Sequence, residues 1–164
     1  MQELVTIAEQ ISVELTRRKQ TIAVAESSAG GLISAALLAV PGASAYFLGS
    51  AVVYTRDARR ILMDISDDEM RANRFRSSSE PYAELLAQRI RERFDCVWGL
   101  SETGAAGPGG NRYGDDAGHS CCAISGPMQA VMTLETGKSD RLGNMHVFAG
   151  TAMTFLLNHL KQLP

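Results

Sequence analysis

"TIAVAESSAGGLISAALLAV", residues 21–40, is the stretch that decides the fold. Thr21–Ala25 is a short apolar run with β-branched members, as expected of a strand buried on both faces. "ESSAGG" interrupts it, and Leu32–Val40 then reads as an apolar helix that stops at Pro41, with Ser28 as the expected N-cap. A buried strand, a glycine-rich turn and a helix make the first half of a β–α–β unit, the building block of sheets covered on both faces.

Reading outward, the same alternation continues. Residues 3–19 place Leu4, Ala8, Ile11 and Leu15 on one helical face. "YFLGSAVVY" (46–54) is aromatic and β-branched, hence a strand. "RDARRILMDI" and "SDDEMRANRF" read as short helical connections. "SSSEPYAELLAQRIRERF" starts a helix at serines followed by Glu80 and Pro81. "CVWGLSE" is a strand, and "HSCCAI" and "QAVMTLE" form a hairpin across "SGPM". A last helix runs from Asp140, with Met145, Ala149, Ala152, Leu156 and Leu160 aligned. The expected fold is α/β: a three-layer α/β/α sandwich with a mixed, mostly parallel sheet and one antiparallel strand.

The chain has 164 residues, one domain's worth. Its 45% hydrophobic and 21% charged composition fits a globular protein. A formal charge of −2 and the lack of any basic stripe argue against nucleic acid as a partner. Arg89, Arg91 and Arg93 fan around their helix and read as a solvated face. No apolar run is long enough for a membrane span, and "MQELVTIAEQ" is not a signal peptide, so the expected location is cytoplasmic. Cys121 and Cys122, adjacent on a strand, point to opposite faces and cannot easily pair. With Cys96 they read as buried fillers. His119, His146 and His159 lack metal spacing. No metal and no cofactor are expected.

Open α/β sheets bind ligands beyond the carboxyl ends of their parallel strands. "ESSAGG" and "SETGAAGPGGNRYGDDAG" (101–118) both follow such strands, and glycines let a ligand approach the backbone. Hydroxyls crowd the same region: Ser27, Ser28, Ser44, Tyr54 and Thr103. Asp115 and Asp116 could contact a ribose or simply turn the chain.

These segments, taken in order, resemble the C-terminal domain of the CinA (competence/damage-inducible protein) family, which includes the nicotinamide mononucleotide deamidases. The family pattern ESCTGG, GAS, tyrosine followed by SNEAK, TGIAGPGG and GDR corresponds to Glu26–Gly31, Gly42–Ser44, Tyr54–Arg59, Thr103–Gly110 and Ser139–Arg141. The resemblance covers essentially the whole chain and implies a stand-alone form without the family's N-terminal pyrophosphatase-like domain. It implies metal-free hydrolysis of the carboxamide of nicotinamide mononucleotide by a serine–lysine mechanism. Ser44 corresponds to the nucleophile, with Ser27, Tyr54 and Thr103 beside it. Gly30, Gly31, Gly104, Gly107, Gly109 and Arg141 would bind the substrate, Arg141 through its phosphate. A small-molecule nucleotide and a homo-oligomeric state are the expected partners.

Three departures matter. Arg59 stands where the family carries its lysine, and arginine cannot surrender a proton near neutral pH. "ESSAGG" lacks the family's threonine, and Glu102 precedes the TG pair, where the family has an apolar or small residue. Two function classes remain. One is an amidohydrolase, with Arg59 as electrostatic stabiliser and Tyr54 or Glu102 as base, or an amidase for another amide. The other is a non-catalytic nucleotide- or partner-binding paralogue.

Overall fold

Strand β1 (Ile22–Glu26) is buried along its whole length and sits inside the sheet. The computed structural model describes residues 1–163. Helix α1 (Gln2–Arg18) precedes β1, and α2 (Leu32–Leu38) carries the chain back to β2 (Phe47–Val52). Then follow α3 (Arg56–Met63), α4 (Asp67–Ala72), α5 (Glu80–Phe94) and β3 (Trp98–Ala105). The β4–β5 hairpin (His119–Ser125, Ala130–Glu135) and α6 (Arg141–Gln162) complete the order. The sheet runs β2-β1-β3-β4-β5. β1 is parallel to β2 and β3, and β4 is antiparallel to both its neighbours, so it alone runs against the rest.

Helices cover both faces. Ile22, Val24, Trp98, Leu100 and Cys122 pack into one core with residues of α1, α2 and α6. Ala23 and Ala25 face the other way, toward Met63, Leu86 and Ile90 of α3 and α5. Cys121 and Cys122 fall into different clusters, as strand alternation requires. Cys96 is only half-buried. Arg89 is not a solvated side chain. It donates to the Met63 and Asp64 carbonyls at 3.0 and 2.7 Å and to Glu69 at 2.8 Å, tying α5 to the α3–α4 corner. No helix among the described residues is long and apolar enough to cross a membrane.

The strand directions fix where function gathers. β1, β2, β3 and β5 all end at one rim, and α2, α3, α5 and α6 all begin there. That rim carries a concentration of chain ends with unpaired N–H groups.

Candidate functional site

Two buried carboxylates build the floor of this rim. Glu26, the last residue of β1, accepts from Ile33 N and Ser34 N at 3.1 Å each and from the Ser34 hydroxyl. It therefore caps the first turn of α2, the task expected of Ser28; the N-cap residue itself is Gly31. Glu102, on the neighbouring strand, accepts from Ser27 N at 3.1 Å, Ala29 N at 2.8 Å and Ser120 Oγ at 3.0 Å. Its side chain is fully buried, and that burial pushes its pKa up to about 7 against the pull of its three donors. Ser27 is thus held by its backbone, while its hydroxyl makes no hydrogen bond among the described residues and faces an open cleft.

The cleft has a volume of ≈ 560 Å³ and is lined by Ser27, Tyr54, Arg59 and Thr103, four of the five expected catalytic residues, together with Gly104. Arg56, Arg112, Tyr82 and Tyr113 complete its walls. Arg59 is only 5% exposed. Its Nε donates to the Ile65 carbonyl at 3.3 Å, and an ion pair joins it to Asp67, so it also fastens the α3–α4 corner. Burial drives the Tyr82 phenol up to about 12, which keeps it neutral beside Arg59. Tyr54 is exposed, and its hydroxyl accepts from Arg141 at 3.2 Å.

A second cavity of ≈ 320 Å³ adjoins the first across Tyr54, Gly104 and Asn111. Its walls are the glycine-rich segment and Arg141, whose guanidinium also donates to the Gly107 carbonyl at 2.6 Å. The expected substrate-binding glycines divide by role. A Cβ on Gly104 would come within 2.4 Å of the His119 carbonyl, on Gly107 within 2.8 Å of the Ser139 carbonyl, and on Gly30 within 2.8 Å of Met145. At those three positions the protein's own packing asks for glycine, and Gly104 and Gly107 also line the cavity. Gly31 opens α2 at a φ of 97°. Only Gly109 faces open space, and the N–H groups of Gly109 and Gly110 have no partner among the described residues.

Ser44 does not join the group. It lies exposed in a 3-10 turn (Ala43–Ala45) between α2 and β2, at the amino end of β2. Phe47 pairs with Ile22 and Val52 with Glu26, so about 16 Å of strand separates that turn from the cleft. The physical reason is the crossover: a helix that links two parallel strands returns the chain to the opposite rim.

The quoted stretch 101–118 is also less of a loop than its glycines suggest. Ser101–Ala105 pair with β4 and belong to β3. The rest is pinned by Asp115, which takes Arg76 and Asn111 and therefore turns the chain. Burial raises the Asp115 carboxyl, but these partners outweigh it and draw it down. Sequence reasoning also missed His119. Its Nδ1 meets Glu135 at 2.5 Å and its Nε2 meets the Ser78 carbonyl at 2.8 Å, at the edge of the cleft. Burial alone would lower its pKa; Glu135, Ser78 and Asp115 instead carry it above the usual value.

A model of the CinA C-terminal domain matches residues 4–160. A CinA-like protein of Prochlorococcus marinus is 37% identical over 122 residues, 74% of this chain and 28% of the relative. One from Myxococcus xanthus is 37% identical over 154 residues, 92% of this chain and 35% of the relative. The chain therefore spans about a third of the length of these relatives. Among solved structures, a CinA superfamily protein of Escherichia coli superposes with a TM-score of 0.88 at 22% identity, covering 95% of this chain and 90% of that one. A competence/damage-inducible protein of Agrobacterium tumefaciens gives 0.86 at 26% identity, covering 98% and 96%.

Proposed function

The chain belongs to the CinA C-terminal domain family, and we propose that its rim cleft binds a phosphate-bearing nucleotide of the nicotinamide mononucleotide type. One observation carries this reading. Arg141 is braced by Gly107 and Tyr54 beside the unpaired N–H groups of Gly109 and Gly110, next to a larger chamber of suitable size for the rest of a nucleotide. Backbone N–H groups and a guanidinium are the donors that suit a phosphate. Gly109 leaves them accessible, and Arg141 is fixed before the ligand arrives, which lowers the cost of ordering it.

Binding is better supported than hydrolysis. A serine nucleophile needs a base; among the described residues no lysine or histidine lines the cleft, and its carboxylate, Asp57, reaches Arg60 at 3.6 Å. Arg59 holds its proton at any physiological pH. Glu102 lies beneath the loop with its oxygens already committed to Ser27 N, Ala29 N and Ser120. The second reading, amide hydrolysis, is favoured by the unbonded Ser27 hydroxyl in the same cleft as Thr103 and Tyr54. In that reading the Ser27 hydroxyl, not that of Ser44, adds to the carboxamide carbon, its proton leaves with the nitrogen as ammonia, and water then hydrolyses the acyl-serine ester to the acid.

Calorimetric titration with nicotinamide mononucleotide tests the binding. Arg141→Ala should weaken it about ten- to a hundred-fold, the worth of one charge-assisted contact. Equal affinity in native and variant protein would remove Arg141 and the glycine segment from the ligand site.

A further inference from the structure

Three arginines line the larger chamber, and two of them, Arg56 and Arg112, have no carboxylate partner among the described residues. Arg56, on the first turn of α3, makes no ion pair and no hydrogen bond among the described residues. Arg112 donates only to the Tyr113 hydroxyl at 3.0 Å, a neutral partner, and stacks over that ring at 5.1 Å. Arg59 has a carboxylate partner in Asp67, but Asp67 borders the neighbouring cavity and not this one. The only acid on the chamber wall among the described residues is Asp57, which reaches Arg60 outside it at 3.6 Å. Burial would raise the Tyr113 pKa, yet hydrogen bonds to Ser77 and Arg112, with the charges of Arg112 and Arg56, bring it below the ordinary value.

Consider what such a wall can recognise. A guanidinium offers N–H donors and no acceptor. A carboxylate answers it with two acceptor oxygens and a charge, often in a two-point contact. A carboxamide has one acceptor oxygen, carries no charge, and turns an NH₂ group toward donors that cannot receive it. Replacing a lysine of the family pattern by Arg59 thus removes a group able to lose its proton and leaves one that holds a permanent charge.

We infer that the arginine-lined chamber selects a nucleotide whose base end carries a carboxylate over one whose base end carries a carboxamide. This rests on the nucleotide reading above, with the phosphate placed at Arg141 and the glycine segment. Arg56, Arg59 and Arg112 then define the acid end, and the cleft holds the deamidated form of the ligand in preference to the amide.

The test is a pair of calorimetric titrations on the full chain at pH 7, one with nicotinic acid mononucleotide and one with nicotinamide mononucleotide. The acid should bind about tenfold tighter or more, as expected when the acceptor facing a guanidinium gains a charge of its own and a second oxygen. The gap should narrow as salt rises. In the Arg56→Ala/Arg112→Ala double variant, whose substituted side chains are both exposed and leave the core untouched, the acid should lose most of its advantage while amide binding changes little. Equal binding of acid and amide by the native protein overturns the selectivity, a loss shared equally by both in the double variant overturns its assignment to these arginines, and either leaves the nucleotide reading standing. Binding of neither compound overturns both.

Discussion

Glu102→Gln separates what Glu102 does by shape from what it does by charge. The side chain is fully buried under the Ser27 loop, and its pKa rises from 4.5 to about 7, burial being the main cause. The folded state therefore holds a proton that the unfolded chain releases between those two values. The stabilisation it brings is fully present below pH 4.5 and is lost as pH climbs through about 7. That shift corresponds to about 3 kcal/mol. Glutamine cannot ionise, yet its carbonyl oxygen can still accept from Ser27 N and Ala29 N, and its NH₂ can donate to the Ser120 hydroxyl. The stability difference between variant and native protein should thus be pH-dependent, moving by about 3 kcal/mol in favour of the glutamine between pH 4.5 and pH 8. Urea unfolding followed by Trp98, the single tryptophan and a fully buried one, reads this directly. Groups that titrate alike in both proteins cancel in the difference. Glu102→Ala, by contrast, strands two backbone donors and a hydroxyl, at about 1–3 kcal/mol for each unsatisfied group. A difference curve flat across that pH range would refute the burial argument for Glu102.

The glycine segment gives a paired prediction. Gly107→Ala should lower the melting temperature, because its φ is 110° and the new Cβ would meet the Ser139 carbonyl. Gly109→Ala should leave the melt unchanged and weaken nucleotide binding alone, since nothing of the protein lies within 4 Å of that Cβ. Equal affinity in Gly109→Ala would show that the ligand does not approach there. For His119 the sign runs with its raised pKa: its contribution is present below the unfolded value and fades as pH rises through the higher folded one. The stability lost on His119→Gln should accordingly shrink as pH rises above 7, measured by urea unfolding; a constant loss would mean that the charge on His119 is irrelevant.

Much of the architecture was legible because periodicity and glycine punctuation agreed at each element. The stretch 21–40 gave strand, turn and helix in the right places, and the adjacent Cys121 and Cys122 took opposite faces as alternation demands. The distance of Ser44 from the cleft has a topological cause. A motif lying just before a strand looks local to it, but in a β–α–β unit the residues between helix and second strand belong to the far rim. Direction, not spacing, was the missing quantity. Glu26 and Glu102 carried a signal, an acid inside an apolar strand run. Their partners, the N–H groups of two turns, lie at separations of up to 75 residues that no local pattern reveals. The same is true of Arg76 and Asp115. Arg56 and Arg59 lie three residues apart on α3, but Arg112 joins them only where α3 and the glycine segment face each other across the cleft.

We propose that this member of the CinA C-terminal domain family binds nucleotide without hydrolysing it, in a cleft lined, among the described residues, by neither lysine nor histidine. Ammonia release from saturating nicotinamide mononucleotide tests it most directly, run on native protein and on Arg59→Lys and Ser27→Ala. Binding without hydrolysis means no release above background from the native protein while calorimetry records binding, and a gain only in Arg59→Lys. Robust native turnover that Ser27→Ala abolishes would contradict it.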